Sequence, residues 1–306
     1  MKKLISLILS AAMLFAFCVP AFAASSEAPF ANSEYYELGD YTLHYRVFEP
    51  KGEYKKQLLL IHGFCLSTVS LEGVAEEYAK SGYRTVLVDV PNFGYSSRET
   101  NNTAFLSREE LIGSLMTSLG GKWIVGGHSM GGGIAINLAC DYPESVTGLV
   151  LYAPQTSAET EGNQQSPVMG MMMQTVYNVI LGICLKFPFL VRIFVSTSFS
   201  DGDYAKNYDL TRVTEPLALP GTGAGISLMT THTRGPEFDK LKALEIPCVI
   251  ITAENDKVAM KDNLRAIIDN APADTEVFEL QKGGHMMMEY APADVAAKTF
   301  SAIEKA

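Results

Sequence analysis

At 306 residues, the chain is long enough to bury a large core, as one α/β domain or as a domain carrying an insertion. Hydrophobic residues make up 47% and charged residues 19%, which excludes an intrinsically disordered chain. A net charge of −10, with no basic cluster beyond the N-terminus, argues against a nucleic-acid partner.

The first residues have the pattern of a secretory leader. Lys2 and Lys3 form a positive start, residues 4–19 are apolar, Pro20 interrupts the run, and Ala21-Phe22-Ala23 has the A-x-A form of a cleavage site. Residues 1–23 are therefore expected to be a signal peptide removed after Ala23, leaving a protein that is secreted or held in the cell envelope. The apolar run is short for a membrane span. Cys18 is not expected to carry lipid, because the bulky Phe17 precedes it. Farther on, residues 181–195 are apolar, but Lys186, Pro188 and Arg192 interrupt them as a span. Secretion permits disulfides. Of Cys65, Cys140, Cys184 and Cys248, Cys140 and Cys248 fall in apolar segments and read as small core residues. No C-x-x-C occurs, which argues against a zinc or thioredoxin-like site.

Strands and helices then alternate. Tyr41–Phe48 alternates in polarity as a strand, and residues 58–61 form a continuous apolar run suited to a buried parallel strand. Residues 71–80 carry helical periodicity and stop at Ser81-Gly82. Residues 85–90 read as a strand, Arg108–Leu119 as a helix ended by Gly120-Gly121, and 123–126 as a short buried strand. After it come Gly127-His128-Ser129-Met130-Gly131, a small-residue helix, and a strand over 148–152. This order implies right-handed crossovers and a mostly parallel central sheet flanked by helices.

From Pro154 to about Glu245 the alternation stops. The stretch is too long for an ordinary loop and is expected to be an inserted, mainly helical cap over residues 154–245, between core segments 24–153 and 246–306. Within it, residues 220–225 are glycine-rich, follow no strand, and read as a flexible loop rather than a phosphate-binding loop. Alternation resumes with a strand over 247–253, a helix over 261–270, a strand over 275–280 and a closing helix from Ala291.

The chemistry is concentrated at Ser129. G-x-S-x-G between a strand and a helix is a sharp turn that lifts the serine oxygen to the top of a sheet, at a helix N-terminus that favours negative charge. A serine hydroxyl needs a base to become a nucleophile, and the base needs a third group to orient it. His285, in Gly283-Gly284-His285 after the last strand, is the candidate base. Asp256, just past the preceding strand, is the candidate acid and is preferred to Glu254. His62 and His128 read as packing groups, and His232 as a surface residue of the cap. Glu289 reads as an acid in the first turn of a helix.

Together these residues, with Ile61-His62-Gly63-Phe64 and Asp89-Val90-Pro91-Asn92-Phe93-Gly94-Tyr95-Ser96, resemble the α/β-hydrolase fold superfamily, in its capped group of small lipases and esterases. The resemblance covers residues 41–302. Its D-x-x-G-x-G-x-S pattern is met except at Asn92, where the family has glycine. The resemblance implies a Ser129–Asp256–His285 triad and an oxyanion hole from the backbone N–H groups of Phe64 and Met130. It implies no cofactor and no metal.

The reading is a secreted serine hydrolase that cleaves a small-molecule carboxylic ester through an acyl-enzyme. The apolar cap suggests a lipid-like substrate such as a monoacylglycerol, and contact with a lipid surface. Met171, Met172 and Met173, and Met286 beside His285, are candidates to line an acyl pocket or fill core. The same constellation also serves aminopeptidases of the proline-iminopeptidase type, thioesterases, carbon–carbon hydrolases and cofactor-free haloperoxidases. Such an aminopeptidase would need acids for the substrate amine, for which Glu159, Glu161, Asp201 and Asp203 are available. A ligand-binding receptor on the same fold is the non-enzyme alternative, and ester turnover separates the two.

Overall fold

The computed structural model describes residues 28–99, 103, 105–157, 167–229 and 233–306. The leader, Glu159, Glu161 and His232 lie outside them. The strands are β1 (Ser33–Leu38), β2 (Tyr41–Phe48), β3 (Gln57–Ile61), β4 (Arg84–Val88), β5 (Trp123–His128), β6 (Val146–Tyr152), β7 (Cys248–Ala253) and β8 (Glu276–Leu280). The helices of the first half are α1 (Glu72–Lys80), α2 (Arg108–Leu119) and α3 (Met130–Asp141). The cap region holds α4 (Pro167–Lys186), α5 (Pro188–Ser198), α6 (Gly202–Asn207), α7 (Thr211–Leu217), α8 (Thr222–Met229) and α9 (Phe238–Ala243). The chain closes with α10 (Lys261–Asp269), α11 (Met287–Tyr290) and α12 (Pro292–Lys305).

One sheet holds all eight strands in the order β1-β2-β4-β3-β5-β6-β7-β8. β1 and β2 run antiparallel to their neighbours, and every pair from β4 to β8 is parallel. β3, β5 and β7 are buried at every residue, as parallel strands covered on both faces must be. β8, at the edge, alternates between exposed and half-buried. Cys140 and Cys248 are buried as expected, and burial pushes their thiols up to about 11 and about 12. All four cysteines of the described residues are free thiols.

The sequence reading missed β1. It is a half-exposed polar edge strand and so lacks the apolar alternation by which strands are recognised. It forms by pairing with β2 from Ser33↔Arg46 to Leu38↔Tyr41 across Gly39, at φ +59°.

The loop after β4 is built on the buried Asp89 carboxylate. Its Oδ1 accepts the Thr68 N–H at 2.7 Å, and its Oδ2 accepts the Tyr95 N–H at 2.8 Å and the His44 Nδ1–H at 2.7 Å. Burial alone would push this carboxyl up. The hydrogen bond and charge of His44 outweigh it and hold the group below its ordinary value. Asn92 takes the place of the family glycine at φ +76°, a region asparagine tolerates better than most residues. Its amide nitrogen donates to Glu99 Oε2 at 2.6 Å, and its oxygen accepts the Glu99 N–H at 2.7 Å.

The cap differs from expectation in two places. Residues 220–225 are not a flexible loop. Gly221 turns the chain at φ +87°, and α8 starts at Thr222. A Cβ on Gly223 would stand 2.5 Å from Asn178 Oδ1, and one on Gly225 would stand 2.1 Å from Asn92 Oδ1. These glycines let α8 approach α4 and the Asp89 loop, so their cause is packing. Val168–Lys186, moreover, is long and apolar enough to cross a membrane by length and composition. It differs from the interrupted run at residues 181–195 because the apolar stretch starts earlier, at Val168, and ends before Pro188. The last cap-region helix, α9, returns to the core and packs on α3.

Gly94 sits at φ +53°, and a Cβ there would stand 1.9 Å from Asp89 Cγ. Gly94→Ala is therefore expected to cost more than about 3 kcal/mol of stability. Gly39→Ala, at a similar φ with nothing within 4 Å, should cost only about 1 kcal/mol. Urea denaturation of both variants compares them, and equal losses would remove the steric argument.

Candidate active site

Ser129 separates β5 from α3 at φ +52°, ψ −119°. The conformation is strained for a residue with a side chain. The crossing is tight enough that a Cβ on Gly127 would stand 2.4 Å from the Gly131 carbonyl oxygen, and one on Gly131 would stand 2.2 Å from that of Ile61. Both spacer glycines of the motif are thus sterically required. The Ser129 N–H donates to Tyr152 O at 3.0 Å, and its carbonyl accepts the Gln155 N–H at 2.9 Å, so β6 and the chain after it hold the turn in place.

Asp256 follows β7 by one tight turn, its N–H donating to Ala253 O at 3.1 Å. Oδ1 accepts the N–H groups of Val258 and Ala259 at 2.8 and 2.9 Å, which leaves Oδ2 for His285 Nδ1 at 2.8 Å. Burial opposes ionisation of Asp256, but the hydrogen bond and charge of His285, with the two backbone donors, hold its carboxyl below the usual range. Glu254 is exposed. His285 rides on a short 3₁₀ turn entered through Gly283 and Gly284, at φ +103° and +65°.

Ser129 and His285 line one cavity of about 140 Å³. Phe64, Leu66 and Met286 from the core line it too, with Phe194, Val195, Phe199 and Val213 from the cap. No Lys, Arg, Asp or Glu is among its lining residues. Phe64 follows β3 and packs edge-on against Phe93. Met130 is the first residue of α3, so its N–H has no partner within the helix. The structure therefore brings the sequence-predicted serine, histidine and Phe64 to one cavity, with Asp256 bonded behind the histidine. Met286 lines it, whereas Met287 and Met288 are core. Met171 and Met172 are more than half exposed on the cap's outer side, and Met173 is absent from the lining. The anticipated acyl-pocket role for that trio is corrected, the cap wall being α5 instead.

The remaining histidines pack as expected, with one addition. His62 donates Nδ1–H to Gly63 O at 2.7 Å and accepts the Val90 N–H on Nε2 at 3.0 Å, and burial keeps it neutral. His128 donates Nε2–H to the carbonyl of His285 at 2.9 Å, ring against ring at 4.5 Å. Burial and the neighbouring His285 hold His128 well below its ordinary value. It pins the backbone of the candidate base without adding a charge.

A larger cleft, about 890 Å³, contains none of Ser129, Asp256 and His285 and so lies apart from the candidate site. Asp201 and Asp203 line this cleft rather than the Ser129 cavity, and Asp201 caps α6 and accepts the Tyr290 hydroxyl at 3.0 Å. Glu289, also at the cleft, is more than a helix-start acid. Its carboxylate accepts Tyr208 Oη–H at 3.1 Å and Arg212 Nε–H at 3.3 Å, while Arg212 also donates to Val69 O at 2.8 Å. Four residues past His285, Glu289 latches the cap to the core. The sequence carried no signal of it, because the partners are about eighty positions away.

A serine at a strand-to-helix elbow, followed along the chain by an acid and then a histidine, is the order that α/β hydrolases present. The chain belongs to the alpha/beta hydrolase fold family, whose model matches residues 56–292. It is 24% identical over 268 residues to a 2-hydroxy-6-oxononadienedioate/2-hydroxy-6-oxononatrienedioate hydrolase of Burkholderia vietnamiensis, covering 81% of this chain and 88% of the relative. It is 22% identical over 250 residues to lipase 3 of a Moraxella species, covering 78% and 74%. A crystal structure of a probable hydrolytic enzyme from Pseudomonas aeruginosa superposes with a TM-score of 0.70 at 20% identity, covering 89% of this chain and 94% of that one.

Burial pushes the Glu289 carboxyl up from 4.5 to about 7, against the pull of Arg212 and Tyr208. Between those values the folded protein keeps a proton that the unfolded chain releases, so this group's contribution to stability falls as pH rises through the window. Glu289→Gln removes that decline. Its Tm relative to wild type should rise by about 2 °C or more between pH 5 and pH 7.5. A difference independent of pH would exclude titration of Glu289.

Proposed function

We propose that the protein is a secreted serine hydrolase that cleaves a carboxylic ester through an acyl-enzyme. The observation that carries the reading is the 2.8 Å Asp256–His285 hydrogen bond beside an elbow serine at φ +52°, with His285 and Ser129 facing one apolar cavity. His285 takes the Ser129 proton as the hydroxyl oxygen attacks the ester carbonyl. Asp256 holds the imidazole in the tautomer that exposes Nε2 and stabilises the imidazolium that forms. The N–H groups of Phe64 and Met130 receive the oxyanion, one such donor being worth about 3–4 kcal/mol of barrier. The alcohol leaves with the proton from His285. Water, activated by the same histidine, then releases the acid.

The uncharged lining favours an apolar acyl group, as in a monoacylglycerol, met at a lipid surface. It speaks against the dianionic substrate class named for the Burkholderia relative, since no cation is among the lining residues to meet a second carboxylate. The lipase named for Moraxella agrees with the ester reading. Secretion rests on the Lys2–Lys3 start and the Ala21-Phe22-Ala23 site.

A fluorophosphonate probe is expected to label the wild type and not Ser129→Ala. Against p-nitrophenyl butyrate, Ser129→Ala and Asp256→Asn should each lose about 10⁴-fold in kcat. Labelling of Ser129→Ala at the wild-type level would overturn the mechanism. A wild type that binds esters without turning them over would make the protein a receptor.

A further inference from the structure

The outer face of the α4–α5 hairpin has no partner among the described residues. Val168–Lys186 has a mean hydropathy of 1.6, and none of its residues is fully buried. Tyr177, Leu181, Cys184 and Leu185 pack inward. Met172, Val176, Val179 and Ile183, three or four residues apart, are exposed along the opposite side with Ile180 beside them. α5 continues the patch with Phe189 at 61% and Ile193 at 57% exposure. Single exposed apolar residues are ordinary, but a contiguous patch on two successive helices marks an interaction surface.

Three observations select a lipid surface as its occupant. Residues 167–198 contain no Asp or Glu, in a chain of net charge −10, so this face is spared the repulsion from anionic headgroups that the rest of the molecule meets. Its corner reads Lys186-Phe187-Pro188-Phe189, with the two aromatic rings 6.2 Å apart, a cation and rings grouped as interfacial anchors are. The patch also runs into the catalytic cavity, because Phe194 is half exposed outside and lines the cavity inside. α4 is long enough to span a bilayer, yet a spanning pose would strip it from α8, where Ala224 N–H donates to Asn178 Oδ1 at 3.1 Å.

We propose that the α4–α5 hairpin lies in the plane of a membrane interface and turns the cavity mouth toward it, so that the ester is drawn from the lipid phase. The second clause rests on the hydrolase reading above, whereas the docking itself does not.

The test compares wild type with Ile180→Glu/Phe189→Glu, neither residue lining the cavity. Both are measured as whole chains, so any retained leader adds equally to each. In co-sedimentation with phosphatidylcholine–phosphatidylglycerol vesicles, the variant should bind about tenfold less or weaker still. Its turnover of water-soluble p-nitrophenyl acetate should stay at the wild-type level, which also reports its fold, while hydrolysis of a monoacylglycerol held in vesicles falls with binding. Phe189→Ser alone should lose part of the binding. Wild type that ignores vesicles, or a variant that binds them equally, overturns the proposal. So does a wild-type dimer that the variant splits without any vesicle binding, which would make a second copy the occupant. If binding is lost as expected but neither protein cleaves any ester, the docking stands and the hydrolase reading falls.

Discussion

The positive φ of Ser129 is the constraint on which the rest of the structure depends. A non-glycine residue in that region costs on the order of 1–3 kcal/mol, and nothing local to the pentapeptide recovers it. The cost is met by the surroundings. β5 is locked between β3 and β6, the Ser129 N–H and carbonyl are both bonded to the chain at the end of β6, and α3 crosses β3 so closely that only glycine fits at 131. The turn points the serine side chain away from the sheet and into the cavity, at the N-terminal end of α3. A buried parallel sheet supplies the rigidity, and the strain supplies the direction.

The base is positioned from the opposite side by similar means. Two glycines at positive φ bring His285 off β8, Asp256 fixes one ring nitrogen, and neutral His128 fixes the backbone carbonyl. The cap completes this arrangement. A Cβ on Gly284 would stand 2.8 Å from Ser198 O, Ser200 Oγ accepts the Gly283 N–H at 2.9 Å, and Glu289 bonds Tyr208 and Arg212. The helices that wall the cavity are thus fastened to the loop that carries the base, and a shift of the cap would be felt at the imidazole. α5 joins three roles, as cavity wall, neighbour of the histidine loop and part of the exposed apolar face.

Much of this was legible in one dimension. Seven of the eight strands carry runs or alternations that local periodicity reveals, and Ser129, Asp256 and His285 follow them in an order that short-range signals mark. β1 was not legible, because an exposed edge strand has no apolar face to announce itself. The glycines of residues 220–225 were misread, since a glycine required by a neighbouring helix looks, in sequence, like one required by a loop. The methionines at 171–173 were misplaced for the same reason: hydrophobicity says that a side chain avoids water, not which surface covers it.

What the sequence by itself determined is therefore the sheet, the elbow and the order of the chemical groups, all of which follow from patterns a few residues long. Asp256 was already preferred to Glu254 from its place after the seventh strand, whereas tertiary structure alone decided that Glu289 latches the cap and that α5 rather than the methionine run walls the cavity. Each of these rests on contacts between residues far apart in the chain. Their geometry is set by how the cap packs on the sheet, and no local pattern encodes it.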